Sequence, residues 1–170
     1  MLPPSIATVI DCQTDSKLRT LADLRLLVKD HGGNVTPIGY LFEKKGKIVL
    51  RQKEGLSIDD IIDPAIEAGA LDVVEDDQGR IVLYTEPTEI TAAAEKMTKE
   101  YGHEIEETEL IYDPNADTKV ELNNEDDAKQ VEKFLEKLPD IHGVQGVYLN
   151  WAKGSISEEA WAELQSKTDL

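Results

Sequence analysis

Three histidines stand next to glycines in this chain, and they are the first residues to consider for catalysis or metal binding. His31 lies within Lys29–Val35, KDHGGNV, and His103 and His142 have the same kind of neighbour. A zinc site needs further His or Cys ligands at short spacings, about two to five residues apart. None of these histidines has such a partner. The spacing therefore predicts no metal and no cofactor. It favours a structural role for these histidines, at helix ends or in turns.

The remaining reactive residues also lack the spacing of a catalytic site. Cys12 lies in an apolar segment, where a buried thiol is unreactive. The acidic runs EDDQ, EIEETE and NNEDD lack the alternating oxygen ligands and central glycine of a calcium loop. Phosphate-binding loops and the G-x-S-x-G nucleophile motif are absent. We therefore expect a protein that is not an enzyme.

The charge balance limits the class of partner. The formal net charge is -17, so the surface as a whole repels nucleic acid phosphates and anionic membranes. Basic residues are sparse but grouped, in the first turn between strand and helix and in the run EKKGK. We predict that these two groups contact nucleic acid or the ribosome; solvated lysines that favour solubility are the alternative. The predicted contact residues are Asp15, Lys17, Arg19, Thr20, Lys44, Lys45 and Lys47.

The stretch KDHGGNV is predicted to end the first helix. Thr20 and Asp23 have the spacing of a capping box, and apolar residues follow at helical intervals up to Val28. We expect His31 near the last carbonyls, and Gly32 or Gly33 in the left-handed conformation beyond it. The next segment, 34–52, is predicted to be strand, with a hairpin turn at 44–47.

Alternating helical and strand patterns along the chain predict an α+β fold. The first and last β-α-β segments are predicted to form a split ferredoxin-like βαββαβ domain, 1–54 plus 116–152. A second small α+β domain, 55–115, is predicted as an insertion, and 153–170 as a short helical tail. Apolar runs are too short for a membrane span, and a monomer is favoured.

Several stretches in combination resemble the YebC family. These are TDSKLRTLADLRLLVKDHGGNV, YLFEKKGKIVL, AIEAGALDVVEDDQGRIVLYTEP and VQGVYLN. Ser16 stands where the family usually has Asn. The matching positions are Thr14, Asp15, Arg19, Thr20, Gly32, Gly33, Asn34, Phe42, Glu43, Lys45, Gly46, Glu67, Ala68, Gly69, Ala70 and Asp72. The resemblance extends almost to Asn150, and it makes Gly32, Gly33, Asn34, Gly46 and Gly69 structural signature positions.

The resemblance implies a three-domain architecture in which the second domain carries the third as an insertion. The family's basic helical first domain has no counterpart in this sequence, so we expect weaker nucleic acid binding from the part present. The family is described in two ways, and neither implies catalysis. One description is a translation factor acting on the ribosome and messenger RNA, which in the mitochondrial branch activates synthesis of cytochrome c oxidase subunit I. The other is a regulator of transcription that binds duplex DNA.

From this resemblance we expect a translation factor of the mitochondrial matrix whose partners are the mitochondrial ribosome and messenger RNA. Duplex DNA is the alternative partner. A third possibility belongs to a different class of function: an acidic module that binds a basic protein, consistent with the charge of -17.

Overall fold

Helices and strands alternate along the chain, which a computed structural model describes over residues 1–170. The helices are α1 (Lys17–Asp30), α2 (Ile58–Ala68), α3 (Ile90–Lys99), α4 (Glu125–Lys137) and α5 (Glu158–Ser166). The strands are β1 (Thr8–Cys12), β2 (Phe42–Leu50), β3 (Asp72–Glu75), β4 (Ile81–Thr85), β5 (Ile105–Pro114), β6 (Val120–Leu122), β7 (Val144–Leu149) and β8 (Trp151–Lys153). This arrangement confirms the α+β class and the C-terminal helix. None of the helices combines the length and apolar character that crossing a bilayer requires.

The chain forms two compact units, and the second is inserted into the first. The first unit comprises Met1–Glu43 and Asp113–Leu170, and the second is Lys44–Tyr112. The sequence placed these boundaries at 54/55 and 115/116. The difference arises mainly at β2, because its residues 46–49 pair with β4 in a sheet of the second unit. The sequence pattern of one strand does not show with which other strand it will pair.

The first unit is built on two small sheets. β1 pairs antiparallel with β7, with Thr8 opposite Leu149, and β6 pairs parallel with β8. Asn150 is 2% exposed between these pairs: its Oδ1 accepts from the Ala7 N–H at 2.7 Å, and its Nδ2 donates to the Thr118 carbonyl at 2.8 Å. Helix α4 places its apolar residues three or four apart, so that they all face one side. The core includes Ile6, Leu122, Val131, Phe134, Leu135, Leu138 and Leu164.

The second unit carries the complete βαββαβ succession, β2-α2-β3-β4-α3-β5, typical of ferredoxin-like folds. Its strands lie in the order β3-β4-β2-β5. Strand residues of alternating position and the inner faces of α2 and α3 form the core, which includes Ile48, Leu50, Ile61, Ala65, Leu83, Ala93 and Met97. This βαββαβ set is continuous in sequence, whereas the sequence pattern assigned one to the two separated segments of the first unit.

The run EKKGK is not a hairpin turn. Residues 44–47 lie inside the continuous strand β2, and Gly46 is opposite Thr85 of β4. A Cβ at position 46 would overlap the side chains of Ile90 and Thr85. Glycine is therefore required here by the close approach of α3 to the sheet, not by a turn.

The stretch KDHGGNV ends α1 as predicted, with Gly32 in the left-handed region at φ 74°. His31 Nδ1 lies 2.8 Å from the Leu27 carbonyl, and its ring meets Phe134 edge-on at 5.7 Å. The expected strand does not start at Asn34, whose N–H donates to the Met1 carbonyl at 2.9 Å. Pro37, which has no N–H, follows within this segment, and β2 begins only at Phe42.

Candidate nucleic-acid interface

The first strand-to-helix turn holds four of the predicted contact residues, and one of them is internal. Thr20 is 4% exposed. Its hydroxyl donates to Thr14 Oγ1 at 2.9 Å, and the His142 carbonyl lies 3.4 Å away. Thr20 therefore joins α1 to neighbouring loops and presents no group to a partner. The capping box expected at Thr20 is also wrong, because α1 begins at Lys17 with Ser16 as its N-cap residue.

Asp15, Lys17 and Arg19 lie at the surface of the same turn. Arg19 forms an ion pair with Asp15 at 3.6 Å, and both side chains are more than half exposed. Such an exposed pair contributes little to stability, about 0–1 kcal/mol, so Arg19 remains able to exchange Asp15 for a phosphate. Lys17 forms no ion pair. These two cations lie in the first turn of α1, which itself contains no acidic residue.

The β2 lysines lie against groups of the second unit. Lys47 forms an ion pair with Glu109 at 3.1 Å, and its side chain is 24% exposed. Lys44 Nζ lies 5.7 Å from the centre of the Tyr112 ring, and Lys45 Nζ lies 6.0 Å from that of Tyr84. A phosphate would have to displace the carboxylate of Glu109 to bind Lys47. The run EKKGK is thus less suited to phosphate binding than its composition indicates.

The outward face of α1 carries further cations that the sequence prediction missed. Arg25 and Lys29 lie one turn apart on this helix, and both are exposed. Leu18 and Leu26 are exposed on the same helix, at 83% and 60%. The signal was present in the helical periodicity, since Leu18, Ala22, Arg25 and Lys29 recur every three or four residues.

Helix α1 is therefore a local exception to the acidity of the chain. It contains four basic residues, Lys17, Arg19, Arg25 and Lys29, and two acidic ones, Asp23 and Asp30. None of the four pairs with an acidic residue of the helix itself. Cations at this spacing can bind successive phosphates or an acidic protein surface.

The reactive groups elsewhere include neither a metal-binding cluster nor an activated cysteine. The structure places no three His, Cys, Asp or Glu residues together where they could hold a metal ion. Burial and the neighbouring Asp11 raise the pKa of the Cys12 thiol, which favours the unreactive protonated form. Burial lowers the pKa of the Met1 amino group.

Comparison with known proteins decides the family. The model of the TACO1/YebC second and third domain matches residues 1–151. The chain belongs to the TACO1/YebC family. A crystal structure of a conserved hypothetical protein, Aq1575 from Aquifex aeolicus, is 31% identical with a TM-score of 0.74, and the match covers 92% of this chain and 64% of that one.

Similar TACO1/YebC proteins carry regulatory names. A probable transcriptional regulatory protein of Persephonella marina is 39% identical over 152 residues, covering 88% of this chain and 59% of its own length. A protein of the same description from Bifidobacterium animalis is 32% identical over 168 residues, covering 97% of this chain and 63% of its own. The chain thus spans about three fifths of the length of these relatives.

Proposed function

We propose that this TACO1/YebC chain is a non-enzymatic regulator of gene expression that acts in translation, by contacting the ribosome and messenger RNA. The observation that carries the proposal is the set of exposed cations on α1, within a chain of net charge -17. Its members are Lys17, Arg19, Arg25 and Lys29. Family membership and regulatory names of the relatives support a role in gene expression, and the resemblance to translation factors supports the choice of translation.

Electrostatics restricts how such a chain approaches RNA. A molecule this acidic is repelled by phosphates over most of its surface, so it binds only in the orientation that presents its cationic helix. The salt-bridged Lys47 contributes less, because RNA would first have to break its contact with Glu109. Lys44 and Lys45 remain predicted contacts, and α1 is the principal surface of the proposal.

A regulator of transcription is the second candidate, and the names of the bacterial relatives favour it. The same cations of α1 would then contact the backbone of duplex DNA. Competition distinguishes the two candidates: a translation factor bound to ribosomes should be displaced by added RNA rather than by an equal amount of duplex DNA. The mitochondrial setting is part of the first proposal alone, and it rests on resemblance to the mitochondrial branch.

Ribosome co-sedimentation at low salt tests the proposal. We expect the chain to pellet with ribosomes and the double variant Arg25→Glu/Lys29→Glu to remain in the supernatant. Lys129→Glu/Lys133→Glu is the matched control, because it makes the same charge change one turn apart on exposed positions of α4. Equal loss in both variants would assign the effect to net charge, and no pelleting of the unmodified chain would reject the translation role.

A further inference from the structure

Helix α2 of the second unit exposes a stripe of isoleucines on the side away from its core. Ile61 and Ala65 are fully buried, whereas Ile62 is 37% exposed and Ile66 is 60% exposed. Ile62 and Ile66 are one turn apart, so their side chains are adjacent on the surface. Leu71, which is 56% exposed, follows shortly after the end of the helix. Scattered exposed apolar residues are ordinary, whereas this stripe places two isoleucines side by side, where one partner could cover both.

Carboxylates border this stripe. Asp59 and Asp63 are exposed, lie one turn apart, and form no ion pair. The helix contains four acidic residues and no lysine or arginine. A partner that covers the isoleucines would therefore bring its own charges next to unpaired carboxylates. Nucleic acids and anionic membranes would be repelled, and a cationic partner would be attracted.

Both ends of α2 are held in place before any partner binds. At the N-terminus, Ser57 and Asp60 form a capping box, with Ser57 Oγ donating to Asp60 at 2.8 Å. At the C-terminus, Lys96 Nζ donates to the Glu67 carbonyl at 2.8 Å, and the Tyr101 hydroxyl donates to the Glu67 carboxylate. Because the helix is already ordered, a partner that binds its outer face loses little free energy to ordering it, and this favours binding.

We propose that this α2 face, defined by Asp59, Ile62, Asp63 and Ile66, docks a basic amphipathic helix of a partner protein. The partner's apolar side chains would pack on the two isoleucines, and its lysines or arginines would pair with the two aspartates. In binding of this kind, the partner helix contacts an apolar surface through its own apolar residues, which are spaced three, four and seven positions apart. This face is separate from the proposed nucleic-acid surface, because it lies on another helix and suits a partner of opposite charge.

Titration with a designed peptide tests the docking surface. The probe is a Lys/Leu peptide of about four helical turns with its leucines on one face, added to the ¹⁵N-labelled full chain. A scrambled peptide of the same composition measures attraction by charge alone. We expect chemical-shift changes centred on α2 with the amphipathic peptide, and binding about tenfold weaker or more after Ile62→Ser/Ile66→Ser. Asp59→Lys/Asp63→Lys should weaken binding and reduce its dependence on salt.

The matched control is Leu18→Ser/Leu26→Ser, which removes exposed leucines from the cationic helix α1 and should leave peptide affinity unchanged. Since all substituted positions are exposed, each variant should keep the amide spectrum of the folded chain. Equal affinity for both peptides, or no loss in the isoleucine variant, would overturn the proposal. So would a dimer of the chain that Ile62→Ser/Ile66→Ser dissociates, since the α2 face would then bind a second copy. Loss of ribosome binding in the α1 variant leaves this test unaffected.

Discussion

The Thr20 hydroxyl donates a hydrogen bond to Thr14 Oγ1 across 2.9 Å, within the turn that leads into α1. Thr14 Oγ1 also accepts from the Ser16 N–H at 3.1 Å. One threonine oxygen thus fixes both the entry into the helix and its first turn. These hydrogen bonds give the turn a structural role, and the cations that follow it lie on the outer side of the helix.

Replacing Thr20 with Val should therefore affect stability and not binding. Valine keeps the volume of the 4%-exposed side chain but removes the hydroxyl that bonds to Thr14. We expect the free energy of unfolding to fall by about 1 kcal/mol, as for the loss of one net hydrogen bond. Urea denaturation measures this change. RNA affinity of the folded variant should equal that of the unmodified chain, and a large loss of affinity would restore Thr20 as a contact.

Gly46 should tolerate no side chain. A Cβ would overlap Ile90 and the Thr85 hydroxyl, so Gly46→Ala should lower the free energy of unfolding by about 1–3 kcal/mol through overpacking. Gly39→Ala is the control, because no atom lies within 4 Å of a Cβ there, and its effect should stay within about 0.5 kcal/mol. Similar urea midpoints for the two variants would show that α3 does not approach β2 as described.

The contact between Tyr101 and Glu67 should make stability fall at high pH. The hydrogen bond to the Glu67 carboxylate raises the pKa of Tyr101 from 10.0 to about 12, because it requires the protonated hydroxyl. A raised pKa means that the contribution is complete below pH 10 and disappears as pH rises towards 12. Urea midpoints of the unmodified chain and Tyr101→Phe should differ at pH 8 to 9, and the difference should shrink progressively as the pH rises from 10 towards 12. A difference that is constant through pH 11 would contradict the hydrogen bond.

Local signals in the sequence predicted the C-terminal end of α1, because the cause of that end is local. Gly32 adopts the left-handed conformation required after His31, whereas the capping box expected at Thr20 does not form because α1 begins earlier, at Lys17. Partner choice among strands depends on distant residues. The lysine- and glycine-rich run 44–47 has the composition of a turn, yet its glycine is required by Ile90, which lies far along the chain.

For the candidate site as well, local composition indicates which residues are exposed, whereas burial and ion pairing depend on distant residues. Lys17 and Arg19 are exposed in the first turn of α1, as the turn composition indicated. Thr20 is polar in sequence but buried, because its hydroxyl finds Thr14 and the His142 carbonyl. Arg25 and Lys29 recur at helical spacing with the exposed Leu18 and Ala22, so helical periodicity alone places both cations on the outward face of α1. The engagement of Lys47 by Glu109 could not be read from the sequence, since it depends on strand pairing.

Helix α1 is the surface proposed to meet RNA phosphates, and the salt dependence of RNA binding is the sharpest test of that role. Fluorescence anisotropy with a labelled single-stranded RNA gives the affinity at several salt concentrations for the unmodified chain and for Arg19→Glu/Arg25→Glu/Lys29→Glu. The slope of log affinity against log salt is negative, and each phosphate contact on a single strand contributes about 0.7 to its magnitude. Loss of three contacts should therefore make the slope shallower by about 2. Binding with an unchanged slope in the triple variant would contradict the claim.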